Sequence, residues 1–386
     1  MSRTSDPPLN RRALLSAATL AASVGALVSL SGAMAPARAA EPIRIGFFAP
    51  LTGNVAAYGV RFREAVELKV DEVNAKGGID GRPIELVVED DRNQPKDAAT
   101  IAQKLVNTPG LVLAIGGFST TASLAAAPIF GEAKIPQVSP SVSHPDFTRQ
   151  SDYQFRQNNR EDNLALTNAE IILDKLKAKT VVIPYNQDDW GQFSSKTTAE
   201  AVEKGGGKVL LLEPVAPNSK DFRPLVSKIK SLNPDAVFVA LYAQEAAILT
   251  QHLRQAGVNI PIGGPTPLTN PKFIELAGKD ADGVVLHTIF FVGDPAKQDF
   301  VKAYEARYKR PPDQWAALAY DTAGVSIDAI RRVAASGKPI TGEAVRDALD
   351  NGPAYEGVTG VTKYNRGDVT KKPTIITIRD GAYSAL

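Results

Sequence analysis

From Ile43 onward the chain alternates short, almost wholly apolar runs with longer stretches whose apolar residues recur at helical spacing. No other feature limits the fold so strongly. Runs such as IRIGFFAPL (43–51), LVLAI (111–115), TVVIPY (180–185) and AVFVALY (236–242) lack the alternation of a half-solvated strand, so they read as strands covered on both faces. Further strands are expected at 84–90, 135–139, 208–213, 260–264 and 283–288. Between them, Phe62, Ala65, Val66, Val70 and Val73 line one face of a helix stopped by Gly77-Gly78. Ala98, Ile101, Ala102, Leu105 and Val106 line another, opened by Pro95. Such alternation predicts an α/β fold of doubly wound parallel sheets wrapped by helices. With 386 residues the chain has material for two domains. One series ends within 130–165 and a fresh one starts at Leu164; 295–349 is mostly helical, and 374–377 reads as a last strand.

The first 39 residues follow other rules. Arg11-Arg12 precede an uncharged Ala- and Leu-rich stretch from Ala13 to Ala35, and Ala37-Arg38-Ala39 offers the small residues of a cleavage site. This predicts a removable export signal over 1–39, for the twin-arginine or the general secretory route. Its removal takes away Arg3, Arg11, Arg12, Arg38 and Asp6 and leaves 40 basic against 41 acidic side chains. A nearly neutral protein argues against nucleic acid or an anionic membrane as partner. There is no cysteine, hence no disulfide and no lipid-modified cysteine, and a core must supply the stability.

Residues 111–123 pose the sharpest local question: the apolar run stops at Gly116-Gly117, and Ser119, Thr120, Thr121 and Ser123 crowd behind it. Ser or Thr there can simply cap a helix. The same groups can also hold an anion, since free N–H groups, the helix dipole and spare hydroxyls converge on one place.

Motifs of enzymatic chemistry are missing. The sequence contains no G-x-x-x-x-G-K-[ST], no G-x-G-x-x-G after the first strand and no G-x-S-x-G elbow. His144, His252 and His287 are scattered, at no metal-ligand spacing, and Asp90-Asp91 and Asp188-Asp189 are sequence neighbours that diverge at strand ends. The expectation is a binding protein with no catalytic residue, no metal and no cofactor.

Four stretches taken together resemble the periplasmic leucine/isoleucine/valine-binding proteins, the type I solute-binding proteins of ABC importers. They are APLTG (49–53) with Tyr58-Gly59, NAKGGIDG (74–81), EDD (89–91) with Pro95, and 116–123 with SPSVS (139–143). The resemblance implies two Rossmann-like lobes joined by three hinge crossings: 41–160 plus 288–370 as lobe 1, and 161–287 plus 371–386 as lobe 2. It implies a periplasmic monomer that traps a small carboxylate ligand by hinge closure and serves a membrane permease. By the same matching Ser119, Thr120, Ser141 and Ser143 would hold the ligand carboxylate, Tyr58 would flank it, and Trp190 and Tyr242 would close over it. One position departs. Amino-acid-binding members place an acid in the loop after a lobe 2 strand, and this chain has Thr266 there. Either another carboxylate, Asp188, Glu245 or Asp321, pairs with the ligand ammonium, or the ligand is a non-amino organic or aromatic acid. A ligand sensor for a membrane receptor remains an alternative to transport.

Overall fold

Two separate sheets organise the chain in the computed structural model, which describes residues 1–2 and 41–386. The export signal expected over 1–39 therefore falls, beyond its first two residues, outside the described part. Residues 42–386 form one unit. Among the described residues no helix is long and apolar enough to cross a membrane.

The first sheet contains β1 (Ile43–Ala49), β2 (Ile84–Asp90), β3 (Leu111–Gly116), β4 (Gln137–Ser139) and β5 (Gln154–Arg156), in the order β2-β1-β3-β4-β5. All its pairings are parallel. The second contains β6 (Thr180–Asn186), β7 (Lys208–Val215), β8 (Ala236–Phe238), β9 (Ile262–Gly264), β10 (Val285–Thr288), β13 (Thr374–Arg379) and β14 (Ala382–Ala385). Its order is β14-β13-β10-β9-β8-β6-β7, with β13 and β14 antiparallel. A small hairpin, β11 (Tyr355–Gly357) with β12 (Gly360–Thr362), stands apart.

The central strands are buried on both faces, as their composition requires: every residue of β3 is buried, and all but one of β1. Edge strands behave differently. β2 and β7 are equally apolar to read, yet most of their residues are only partly buried or exposed. Each has a neighbour along one side only. The apolar run 236–242 is continuous strand only through Phe238; beyond it an isolated parallel bridge still joins Ala240 to Tyr185 before the helix Ala243–Gln255 begins.

Helix α1 (Ala56–Asn74) lies against the long helix Gln314–Ala335 and its neighbour Gln298–Tyr308. Tyr320 Oη donates to Glu72 Oε2 at 2.7 Å, and Tyr308 Oη donates to the Glu64 carbonyl at 2.7 Å. Arg61 pairs with Asp313 at 3.5 Å, both nearly buried. The pattern of apolar residues alone did not anticipate that the helices after 295 would pack beside the first sheet's own helix; only the resemblance, which joins 288–370 to 41–160, implied it. The chain passes from the first sheet to the second after β5, leaves the second after β10 for the helices that pack on α1 and for the separate hairpin, and rejoins the second at β13. The result is a two-lobed α/β fold of doubly wound sheets, the type I periplasmic binding architecture, with its strand C-termini turned toward a shared cleft, where such sheets place ligands.

Candidate functional site

The turn after β3 explains its glycines. Gly116 has φ +153° and Gly117 φ +85°, and a Cβ on Gly116 would stand 2.1 Å from the Phe48 carbonyl oxygen. Only glycine lets the strand leave the sheet there. Ser119 then caps the helix Thr120–Glu132, its Oγ accepting from Ala122 N at 3.3 Å. The plain capping role is present, and it leaves other donors free. Among the described residues the backbone N–H groups of Thr120 and Thr121 have no acceptor, as the first turn of a helix dictates.

The loop after β4 is built differently. Ser139 Oγ receives Val142 N at 3.1 Å and donates to the Gly117 carbonyl at 3.0 Å. Ser141 Oγ donates to the Phe118 carbonyl at 2.8 Å, which staples this loop to the previous one. Ser143 Oγ donates to Glu161 Oε2 at 2.6 Å. Ser141 and Ser143 were expected to donate their hydroxyls to a carboxylate. Both protons are already committed within the fold, so these hydroxyls face the cleft as acceptors. The N–H of Ser143 has no acceptor among the described residues.

Glu161 was missed by sequence reasoning, hidden in a polar stretch that looked like a linker. It is buried, and besides Ser143 it accepts from Trp190 Nε1 at 3.0 Å and from Ser194 Oγ at 2.6 Å. Burial pushes its carboxyl above the ordinary carboxylate range, and the three donors work against that shift.

A cavity enclosing about 330 Å³ of atom-free space, part of it open to solvent, lies where these loops meet. From the first sheet's side it is lined by Phe118, Ser119, Thr120, Ser141, Val142, Ser143, Asn158 and Trp315. Trp190, Tyr242, Thr266 and Pro267 face it from the second. Seven of the eight expected residues thus come together at one place. The eighth, Tyr58, stands one ring behind the wall, its ring 4.5 Å from that of Phe118 and edge-on to Trp315 at 5.1 Å. Its hydroxyl accepts from Ala243 N at 2.9 Å and donates to the Pro267 carbonyl at 3.1 Å, so it ties helix α1 to loops of the second sheet.

Trp190 and Tyr242 stack with centroids 5.2 Å apart, and Tyr242 Oη donates to Asp188 Oδ2 at 2.8 Å. Asp188 also caps the helix Asp189–Lys204 through Gly191 N at 2.7 Å. Burial raises its carboxyl to about 6. Neither Asp188 nor Glu245 lines the cavity; both line a neighbouring chamber. Asp321 sits within a helix and holds the loop after β11, accepting from Val358 N at 2.9 Å and Thr359 N at 2.7 Å. It is neither a helix cap nor a neighbour of the cavity. Phe118, Val142 and Pro267 adjoin expected residues in sequence, whereas Asn158 comes from the polar run 154–163 that also hid Glu161. Trp315 carried no signal, because it enters from the helical region that strand-end reasoning leaves aside.

A family profile described as "Periplasmic binding protein" matches residues 42–377. The Leu/Ile/Val-binding protein homolog 3 of Brucella melitensis biotype 1 is 29% identical over 360 residues, covering 92% of this chain and 94% of the relative. The Leu/Ile/Val-binding protein BraC3 of Rhizobium johnstonii is 30% identical over 345 residues, 88% of this chain and 92% of its own. Among solved structures, the branched-chain amino acid transporter substrate-binding protein LivJ from Streptococcus pneumoniae in complex with isoleucine superposes with a TM-score of 0.83 at 28% identity, covering 89% of this chain and 98% of that one. With its two doubly wound sheets and a cavity between their strand ends, the chain belongs to the periplasmic binding proteins, in the leucine/isoleucine/valine-binding family of ABC-importer substrate-binding proteins.

Proposed function

We propose that this protein captures a small amino acid with an apolar side chain, closes two lobes over it, and presents it unchanged to the permease of an ABC importer. The lobes would be 41–160 plus 288–370 and 161–287 plus 371–386, and the protein would work as a periplasmic monomer. One observation carries the reading: the cavity's polar groups divide into donors and acceptors. The free N–H groups of Thr120 and Ser143 suit a carboxylate, which offers about four lone-pair sites. The Ser143 hydroxyl, its proton held by Glu161, offers an oxygen to an ammonium group and backs it with a buried negative charge. In this way Glu161 would serve, one atom removed, in place of the acid that Thr266 does not supply. Phe118, Val142, Trp190, Tyr242 and Trp315 leave apolar walls for the side chain.

A non-amino organic or aromatic acid is the second reading, favoured by Thr266 itself. A thermal-shift comparison of leucine with 4-methylpentanoate, its analogue without the amine, separates the two. Leucine should stabilise the protein by about 2.7 kcal/mol at a hundredfold excess over its dissociation constant. The desamino acid should give a much smaller shift; if it matches or exceeds leucine, the second reading stands.

A further inference from the structure

Among the described residues no charged side chain lines the ligand cavity, and the cavity's polar groups are unequally committed. Ser141 and Ser143 have given their protons away, so each offers only an oxygen. Thr120 and Thr266 have not. Both are buried, they line the cavity from opposite sheets, and neither hydroxyl has a partner among the described residues. At Thr266 the bond from Thr269 Oγ1, 2.7 Å long, goes to the backbone carbonyl and leaves the side chain alone. Neither threonine oxygen is sealed off by its neighbours, so both hydroxyls open on the cavity. The enclosed space, about 330 Å³ with part of it open to solvent, is small enough that a six-carbon acid lies against both walls.

Once a carboxylate has taken the N–H groups of Thr120 and Ser143, one committed acceptor, Ser143 Oγ, and hydroxyls that can donate or accept remain. An ammonium group donates three protons and accepts none, and Glu161 backs it only through Ser143, without lining the cavity. An α-hydroxyl matches the same surroundings in both directions. It donates to Ser143 Oγ, accepts from a threonine hydroxyl, and needs no counter-charge when buried. We infer that the cavity takes α-hydroxy acids as well as α-amino acids of the same apolar skeleton, and that Thr266 is the residue that admits the hydroxyl. This rests on the proposed function, because both ligand classes use the same carboxylate donors and apolar walls.

The test is calorimetric titration of the protein with leucine, (S)-2-hydroxy-4-methylpentanoate and 4-methylpentanoate at one pH and ionic strength. The hydroxy acid should bind no more than about tenfold weaker than leucine, and tighter than the unsubstituted acid by about threefold or more. Thr266→Val keeps the shape and removes the hydroxyl; it should weaken the hydroxy acid by about threefold or more and change leucine less. Glu161→Gln should separate the two ligands in the opposite sense, leucine losing more, because a ligand hydroxyl can accept the proton that Ser143 regains. Hydroxy-acid binding weaker than these limits would overturn the inference, and so would either variant if it treats leucine and the hydroxy acid alike. Circular dichroism checks that the variants fold; where one does not, the comparison of the three ligands on the unmodified protein decides alone. Leucine binding without the hydroxy acid would sink this inference only, whereas failure of both ligands would sink the proposed function as well.

Discussion

The Ser143 hydroxyl gives its proton to Glu161, 2.6 Å away, and this one bond fixes which way Ser143 faces a ligand. Glu161→Gln keeps the shape but brings an NH₂ group among three donors, Ser143, Trp190 and Ser194. The buried negative charge vanishes and the Ser143 proton is freed. Affinity for an amino acid should fall at least tenfold, about 1.4 kcal/mol, while affinity for the matching desamino acid changes little or improves. Calorimetric titration of both ligands checks this; equal losses would show that Glu161 has no part in reading the amine.

Strands were legible because strands covered on both faces must be almost wholly apolar, and β1, β3 and β6 are. β5 was not, since Gln154 and Arg156 are buried polar residues: Gln154 Nε2 reaches the Ala127 carbonyl at 3.0 Å, and Arg156 pairs with Asp368 at 2.7 Å. Partners so distant in sequence leave no local pattern. The site was legible as positions but not as chemistry. Ser141 and Ser143 read as hydroxyls; only the fold shows that a backbone carbonyl and a buried carboxylate hold their protons.

Tyr58 should act as a latch between the lobes. Its hydroxyl is bonded twice across the cleft, to Ala243 N and the Pro267 carbonyl, and it is 2% exposed. Tyr58→Phe keeps the stack on Phe118 but leaves the buried Ala243 N–H unpaired in the closed form, while the Pro267 carbonyl keeps only its bond from Asn270 N, at a cost of about 1–3 kcal/mol. Ligand dissociation should accelerate by about tenfold or more. Stopped-flow release measurements give that rate directly, and an unchanged value means the bridge is idle.

At Gly116 the constraint is steric. Gly116→Ala would force a methyl group to within 2.1 Å of the Phe48 carbonyl oxygen at a φ of +153°. A loss of stability on the order of 3 kcal/mol follows, together with displacement of the first N–H groups of the helix that begins at Thr120. Urea denaturation and ligand titration should therefore both register the change. A loss below about 1 kcal/mol would mean that the strand end yields easily.

His287 provides the pH prediction. It lies on β10, fully buried, its Nε2 3.0 Å from Asn168 Oδ1, and Asn168 Nδ2 donates in turn to Thr198 at 3.0 Å. Asn168 thus presents an acceptor, and the imidazole donates from Nε2. Burial pushes the imidazole down to about 4. The folded protein refuses a proton that the unfolded chain accepts near 6.5, so the stability contributed by the neutral ring is complete above 6.5 and declines as pH falls toward 4. Asp91 and Asp188, both raised to about 6 by burial, act in the opposite sense, gaining stability as pH falls through their range. The net profile of the protein consequently hides the histidine, and a difference experiment is needed. His287→Gln retains a donor for Asn168 but does not titrate. Its destabilisation should be smaller at pH 5 than at pH 7 by about 2 kcal/mol, since 1.5 pH units at about 1.4 kcal/mol per unit separate pH 5 from the unfolded-state value. Urea unfolding of both proteins at the two pH values measures this difference, and a penalty independent of pH would mean that the ring takes up its proton in the folded state.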